Sequence, residues 1–159
     1  AVPTCEGALQ LAMEQTDCTI QGAHVLVIGA GRIGFLLAVR LHALGAQVIV
    51  AARSLRDRAR IESAGLAAVD TAQLAQEVHG REIIFNTVPA PLLTGEILRA
   101  LTPSCIVIDL ASMPGGDADP PTGCRVIHAL SLPGKVAPRT AAAAIYATVT
   151  AILREEGVL

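Results

Sequence analysis

Residues 24–54 read HVLVIGAGRIGFLLAVRLHALGAQVIVAARS, and the fold follows from how this stretch is parsed. An apolar run, Val25 to Ile28, leads into Gly29, Gly31 and Gly34, spaced G-x-G-x-x-G. A helix-like segment follows from about Ile33 to Leu44, with Phe35, Leu36, Val39, Leu41 and Leu44 as its large apolar residues. Gly45 ends it, and a second apolar run, Val48 to Ala51, leads into Arg53 and Ser54. Strand, glycine turn, helix and strand form the parallel unit that binds a dinucleotide. Gly29 permits the tight turn, Gly31 leaves room for a pyrophosphate, and Gly34 lets the helix approach closely. The phosphates then rest on the helix N-terminus, where free N–H groups and the helix dipole favour negative charge. Gly29, Ala30, Gly31, Arg32, Ile33 and Gly34 are therefore expected cofactor contacts. A glycine-rich turn of another α/β protein is the plainer alternative.

The same alternation continues outward. Short apolar runs at 67–69, 82–86, 105–109 and 125–128 are separated by helix-like segments. These are about Leu55 to Ala64, Asp70 to Val78 with Asp70 and Gln73 as a capping box, and Thr94 to Leu101. A long last helix runs from Pro138 to about Glu155, stopped by Gly157. Residues 132–135 read as a turn, and 117–123, with two prolines, as a loop. The expectation is an α/β fold of Rossmann type. It has a doubly wound parallel sheet of six strands, order 3-2-1-4-5-6, with helices on both faces. Ahead of the sheet, residues 1–22 read as a linker helix capped by Thr4, running to about Gln15 with Leu9, Ala12 and Met13 on one face. Residues 23–159 are the dinucleotide-binding domain.

In such a sheet, ligands bind beyond the carboxyl ends of the strands where the strand order reverses. Arg53 and Ser54 end the second strand, where an acid would bind the ribose of NAD. A guanidinium suits a 2′-phosphate, so NADP is expected over NAD, unless Arg53 is merely a solvated loop charge. Asn86, Thr87, Val88 and Pro89 follow the fourth strand and are expected to pass the ribose and nicotinamide. Asp109, Ala111 and Ser112 follow the fifth and are likewise expected cofactor contacts. Asp109 closes an apolar strand, so it must be hydrogen-bonded, and a structural role in its loop is expected of it. Pro133, Gly134, Lys135, Arg139 and Thr140 combine cations, a hydroxyl and a helix start, which suits a carboxylate-bearing substrate. Lys135 and His128 are the candidates for acid/base work, although the sequence names no catalytic residue.

The chain has 159 residues, 52% of them hydrophobic, with formal net charge −2, so one globular domain is expected and no nucleic-acid partner. No apolar run approaches the about 20 residues of a membrane span. The start shows no signal-peptide pattern. Cys5, Cys18, Cys105 and Cys124 lack metal-ligand spacing, so reduced thiols in a cytoplasmic protein, and no metal, are expected.

PTCEGALQLAMEQTDCTIQG, VIGAGRIG, AARS, NTVPAPLL, DLASMPGG and LPGKVAPRTA together span nearly the whole chain. With these stretches the chain resembles the C-terminal, nucleotide-binding part of the dipicolinate synthase A-subunit family. The resemblance implies a further N-terminal domain that this chain lacks. It also implies an NADP-dependent oxidoreductase of spore-forming bacteria that makes dipicolinate during sporulation from a dihydrodipicolinate-type precursor. A homo-oligomer is expected. The implied partners are that small dicarboxylate and a flavoprotein-like second subunit. The chain carries Met113 where the family pattern puts a basic residue. Other dehydrogenases of the methylene-tetrahydrofolate, shikimate or 2-hydroxy acid groups share this fold, and so do modules that sense a dinucleotide without chemistry.

Overall fold

The computed structural model describes residues 1–116 and 123–158. The loop expected from composition at 117–123 thus falls, but for Gly123, outside the described residues. The strands are β1 (His24–Ile28), β2 (Gln47–Ala51), β3 (Ala67–Val69), β4 (Ile83–Asn86), β5 (Ile106–Asp109) and β6 (Arg125–His128). They form one sheet of order β3-β2-β1-β4-β5-β6, and every pair is parallel. This is the Rossmann-type order expected from the sequence. β4 and β5 are buried along their whole length, and β1 along all but its first residue. Strands covered on both faces need continuous apolar runs, and VLVI, IIF and IVI supply them.

Alternation along each strand divides the core. Val25, Val27, Val48, Val50, Ile83, Phe85, Ile106 and Ile108 face one side. There they meet Cys5, Ala8 and Ala12 of α1 (Val2–Gln15), Leu37 and Leu41 of α2 (Arg32–Ala43), and Leu132 of α6 (Leu132–Val136). Leu26, Ile28, Ile84 and Val107 face the other side. They meet Leu74 of α4 (Leu74–Glu77), Val78 just after it, and Leu98 of α5 (Gly95–Arg99). The remaining α-helices are α3 (Leu55–Ser63) and α7 (Pro138–Glu155), and a short 3-10 helix, Thr71–Gln73, leads into α4.

Three local expectations are corrected. α1 begins at Val2, so Thr4 lies inside the helix and no side chain caps it. Pro3 in the first turn starts it instead, since its missing N–H needs no partner there. The buried face of α1 is Cys5, Gly7, Ala8 and Ala12, while Met13 is exposed. Small residues are required because α1 packs closely on α6; a Cβ on Gly7 would press against Val136 and Leu132. Likewise α2 buries Gly34, Leu37, Ala38 and Leu41 and leaves Val39 and Leu44 exposed. Finally, residues 132–135 are not a turn but most of the short helix α6.

α7 has 18 residues and buries none of them. Ile145, Tyr146, Val149 and Ile152 stand exposed along it.

Candidate dinucleotide site

The loops after β1, β2, β4 and β5 meet at the carboxyl edge of the sheet. The first of them is built by mutual exclusion. Gly29 has φ +101°, a backbone region that side chains rarely adopt, and a Cβ there would also overlap the Thr87 hydroxyl. Thr87 is held in place by donating from Oγ1 to the Ile28 carbonyl at 2.9 Å. A Cβ on Gly34 would overlap the Gly29 carbonyl. Gly31 differs: a Cβ there would meet nothing within 4 Å. The first and third glycines are thus needed to close the turn, and the second leaves open space above the start of α2.

Two clefts flank this turn and share Gly29, Ala30 and Val88. One runs over Gly31, Arg32 and Ile33 to Thr87 and Pro89, and touches Ala1. The other runs along the end of β2, past Ala51, Ala52, Arg53 and Ser54, to Asp57, Thr71, Ala90 and Leu92. Together they place the glycine loop, Arg53, Ser54, Thr87, Val88 and Pro89 on one continuous edge. Asp57, Thr71, Ala90 and Leu92 are lining residues that the sequence reading missed. For Asp57 a signal was present, because it stands three residues after the helix cap Ser54.

The second cleft carries side-chain charges of both signs, Arg53 and Asp57. Ser54 caps α3: its Oγ accepts from the Asp57 N–H at 3.1 Å and donates to Asp57 Oδ2 at 2.6 Å. Arg58 is committed elsewhere, donating to the carbonyls of Ala52 and Arg53 and pairing with Asp70 Oδ2 at 2.5 Å. Arg53 is exposed, and its side chain has no hydrogen-bond or ion-pair partner among the described residues.

Asp109 lies outside both clefts. It is 2% exposed and paired on both oxygens. Oδ1 accepts from Asn86 Nδ2 at 2.9 Å and from the Ala111 N–H at 3.1 Å. Oδ2 accepts from the Gly115 N–H at 2.6 Å. Asn86, fully buried, also donates to the Val88 carbonyl at 3.0 Å and accepts the Val88 N–H at 3.1 Å. The Gly115 carbonyl in turn accepts the Leu93 N–H at 2.8 Å. The loops after β4 and β5 are therefore tied into one assembly through two buried polar side chains. Asn86 and Asp109 hold that edge from below, and Ala111 is buried while Ser112 is exposed.

The other expected residues are dispersed. His128 reaches the same assembly through Nε2, 3.0 Å from the Ala111 carbonyl. Lys135 lies in the last turn of α6, and Arg139 and Thr140 in the first turn of α7, all three exposed; Pro133 is half-buried and Gly134 exposed. The four cysteines are free. Burial, reinforced by its neighbour Cys124, pushes the Cys105 thiol up to about 12, so it is no nucleophile. Burial also raises Cys5. Among the described residues no cluster of His, Cys, Asp and Glu could hold a metal. None of their helices is long and apolar enough to cross a membrane.

Residues 7–111 match the family described as D-isomer specific 2-hydroxyacid dehydrogenase, NAD binding domain. The chain is 39% identical over 158 residues to the dipicolinate synthase A-subunit of Bacillus subtilis (strain 168), covering 98% of this chain and 53% of that protein. The crystal structure of the dipicolinate synthase A-subunit from Bacillus subtilis superposes with TM-score 0.93 at 40% identity, over 97% of this chain and 53% of the other. That of the dipicolinate synthase A-subunit from Bacillus halodurans gives TM-score 0.90 at 38% identity, over 95% and 53%. The chain spans about half the length of the curated relative it matches.

Proposed function

The chain belongs to the family of D-isomer specific 2-hydroxyacid dehydrogenase NAD-binding domains, and from that premise we propose that it is the NADP-binding half of a dipicolinate-forming oxidoreductase. The family supports a nicotinamide dinucleotide as cofactor. The residues present fit that group. Open space over Gly31 suits a pyrophosphate on the N-terminus of α2, and the cleft along β2 suits the adenosine. The observation that carries NADP over NAD is Arg53, the unpaired cation lining that cleft where a carboxylate would bind a ribose hydroxyl. Thr87, Val88 and Pro89 would border the nicotinamide end, with Asn86 and Asp109 holding their loop from below.

The reaction is proposed from the relatives' names and the sparse inventory of reactive groups. Bound nicotinamide supplies a hydride acceptor. Forming an aromatic ring from a dihydrodipicolinate-type precursor asks little acid/base work of the protein. Its residues chiefly orient the substrate and bind its carboxylates. Lys135 and Arg139, with Pro133, Gly134 and Thr140, are proposed to do the latter, and His128 or Lys135 to handle a proton. Residues 1–22 would serve as the linker helix and residues 23–159 as the nucleotide-binding domain. A further domain in the unmatched half of the relatives' length would close the substrate cleft. A homo-oligomer, a cytoplasmic role in sporulation and a flavoprotein-like second subunit complete the proposal. The family match alone would also accommodate a 2-hydroxy acid dehydrogenase. The match to the dipicolinate synthase relative over 98% of the chain favours the first reading.

The test is direct titration of the chain with NADPH and NADH, followed by cofactor fluorescence. NADPH is expected to bind more tightly, and Arg53→Ala to remove the difference while leaving NADH affinity in place. Tighter binding of NADH by the wild type would overturn the NADP assignment.

A further inference from the structure

The cleft beside Arg53 holds a second charge, and it has the opposite sign. Asp57 lines the same cleft as Arg53 and Ser54 and is only half-buried. The obvious partner for a phosphate, the Ser54 hydroxyl, is already used in both directions by Asp57. Its proton goes to Asp57 Oδ2 at 2.6 Å, and its oxygen takes the Asp57 N–H at 3.1 Å. Arg58 is likewise occupied by two carbonyls and Asp70. A 2′-phosphate entering here would meet one unpaired cation, a hydroxyl with no proton to give, and a carboxylate. A free 2′-hydroxyl would meet an acceptor in the same place, since a carboxylate takes hydrogen bonds from hydroxyls and repels phosphate.

We propose that Asp57 is the specificity-determining counterweight to Arg53. It accepts from the ribose of the unphosphorylated cofactor, opposes the 2′-phosphate of the other, and so holds the preference for NADP below what Arg53 alone would set. This rests on the reading of the cleft as the adenosine site. It differs from the usual logic of such sites, where the discriminating acid ends the second strand. Here the acid comes from the first turn of α3, three residues beyond the cap, and reaches the cleft through Ser54.

The test measures the dissociation constants of NADP+ and NAD+ for the wild type, Asp57→Asn and Arg53→Ala by calorimetry. Asparagine keeps an oxygen that accepts from Ser54, so the cap survives and only the charge is lost. Asp57→Ser repeats the measurement and guards against a variant that misfolds. In both Asp57 variants NADP+ is expected to tighten by about three- to tenfold, the scale of one charge contact at a half-exposed site. NAD+ is expected to stay level or weaken. The NADP+ gain is expected to shrink in high salt. An NADP+ affinity that does not rise, or equal gains for both cofactors, would overturn the proposal. The assignment of NADP as the preferred cofactor is judged separately, from the wild type and Arg53→Ala. Should the wild type prefer NAD+, that assignment fails while the shift in the Asp57 variants still decides the role of Asp57.

Discussion

Gly31 and Gly34 stand three residues apart, and a side chain has opposite consequences at the two positions. At Gly31 the backbone is extended, with φ −68° and ψ −171°, and the space above is open. Gly31→Val is therefore expected to keep its melting temperature and lose dinucleotide binding, because the new side chain fills the pyrophosphate's place. A folded variant with unchanged NADPH affinity would remove the loop from the site. At Gly34 the obstacle is the Gly29 carbonyl, which is backbone and cannot turn aside. Overpacking of this kind costs about 1–3 kcal/mol. Against it stands a gain of about 1 kcal/mol for alanine over glycine in a helix. Gly34→Ala is expected to melt at a lower temperature in a calorimetric scan with no ligand present, and an unchanged or higher melting temperature would contradict the tight contact. The spacing G-x-G-x-x-G made both roles legible in the sequence. It gave no sign that Thr87 is the third member of the contact, since the residue lies far along the chain and is brought in by β4. The same holds for Asp109. Its need for partners followed from its place at the end of an apolar strand, but their identity depended on strand pairing that puts Asn86 beside it.

At the scale of elements, α3 is tied by charge to the residue that follows β3, through Arg58 and Asp70. Asp70 begins the capping box that leads into α4, accepting from the Ala72 N–H at 2.9 Å while Gln73 Oε1 accepts the Asp70 N–H. That backbone bond, with the Arg58 guanidinium beside it, holds the Asp70 carboxyl below the usual carboxylate range. A lowered folded-state value means the charged form stabilises the fold. The contribution is complete above the unfolded value of about 3.9 and disappears as pH falls through the folded value beneath it. Asp70→Asn preserves the cap oxygen and removes the charge. Its melting temperature is expected to fall below wild type at pH 7 and to rejoin it as pH drops below about 4. A gap that persists undiminished at about pH 2.5 would show that geometry, not charge, is responsible. This box was readable because capping depends on residues three apart. The start of α1 and the helix α6 were not, because each is settled by packing. α1 lies against α6 through Gly7, and neither surface is visible in a local window.

For the whole molecule, strand order followed from the repeating alternation of apolar runs and helices, and the sheet keeps that order along its full width. What sequence could not convey is how unevenly the outer layer is buried. α1 and α2 are sealed against the sheet, whereas α7 carries Ile145, Tyr146, Val149 and Ile152 in the open. The chain contains one tyrosine and no tryptophan. That tyrosine, 74% exposed, is on α7. Excited beyond the absorption of its two phenylalanines, the protein therefore emits from α7 alone. It is expected to be quenched by acrylamide nearly as readily as free tyrosine, and a strongly shielded signal would show α7 covered in solution. The cofactor clefts have no tyrosine or tryptophan of their own, so nucleotide binding and any covering of α7 can be followed in one cuvette, at separate wavelengths, without attaching a dye.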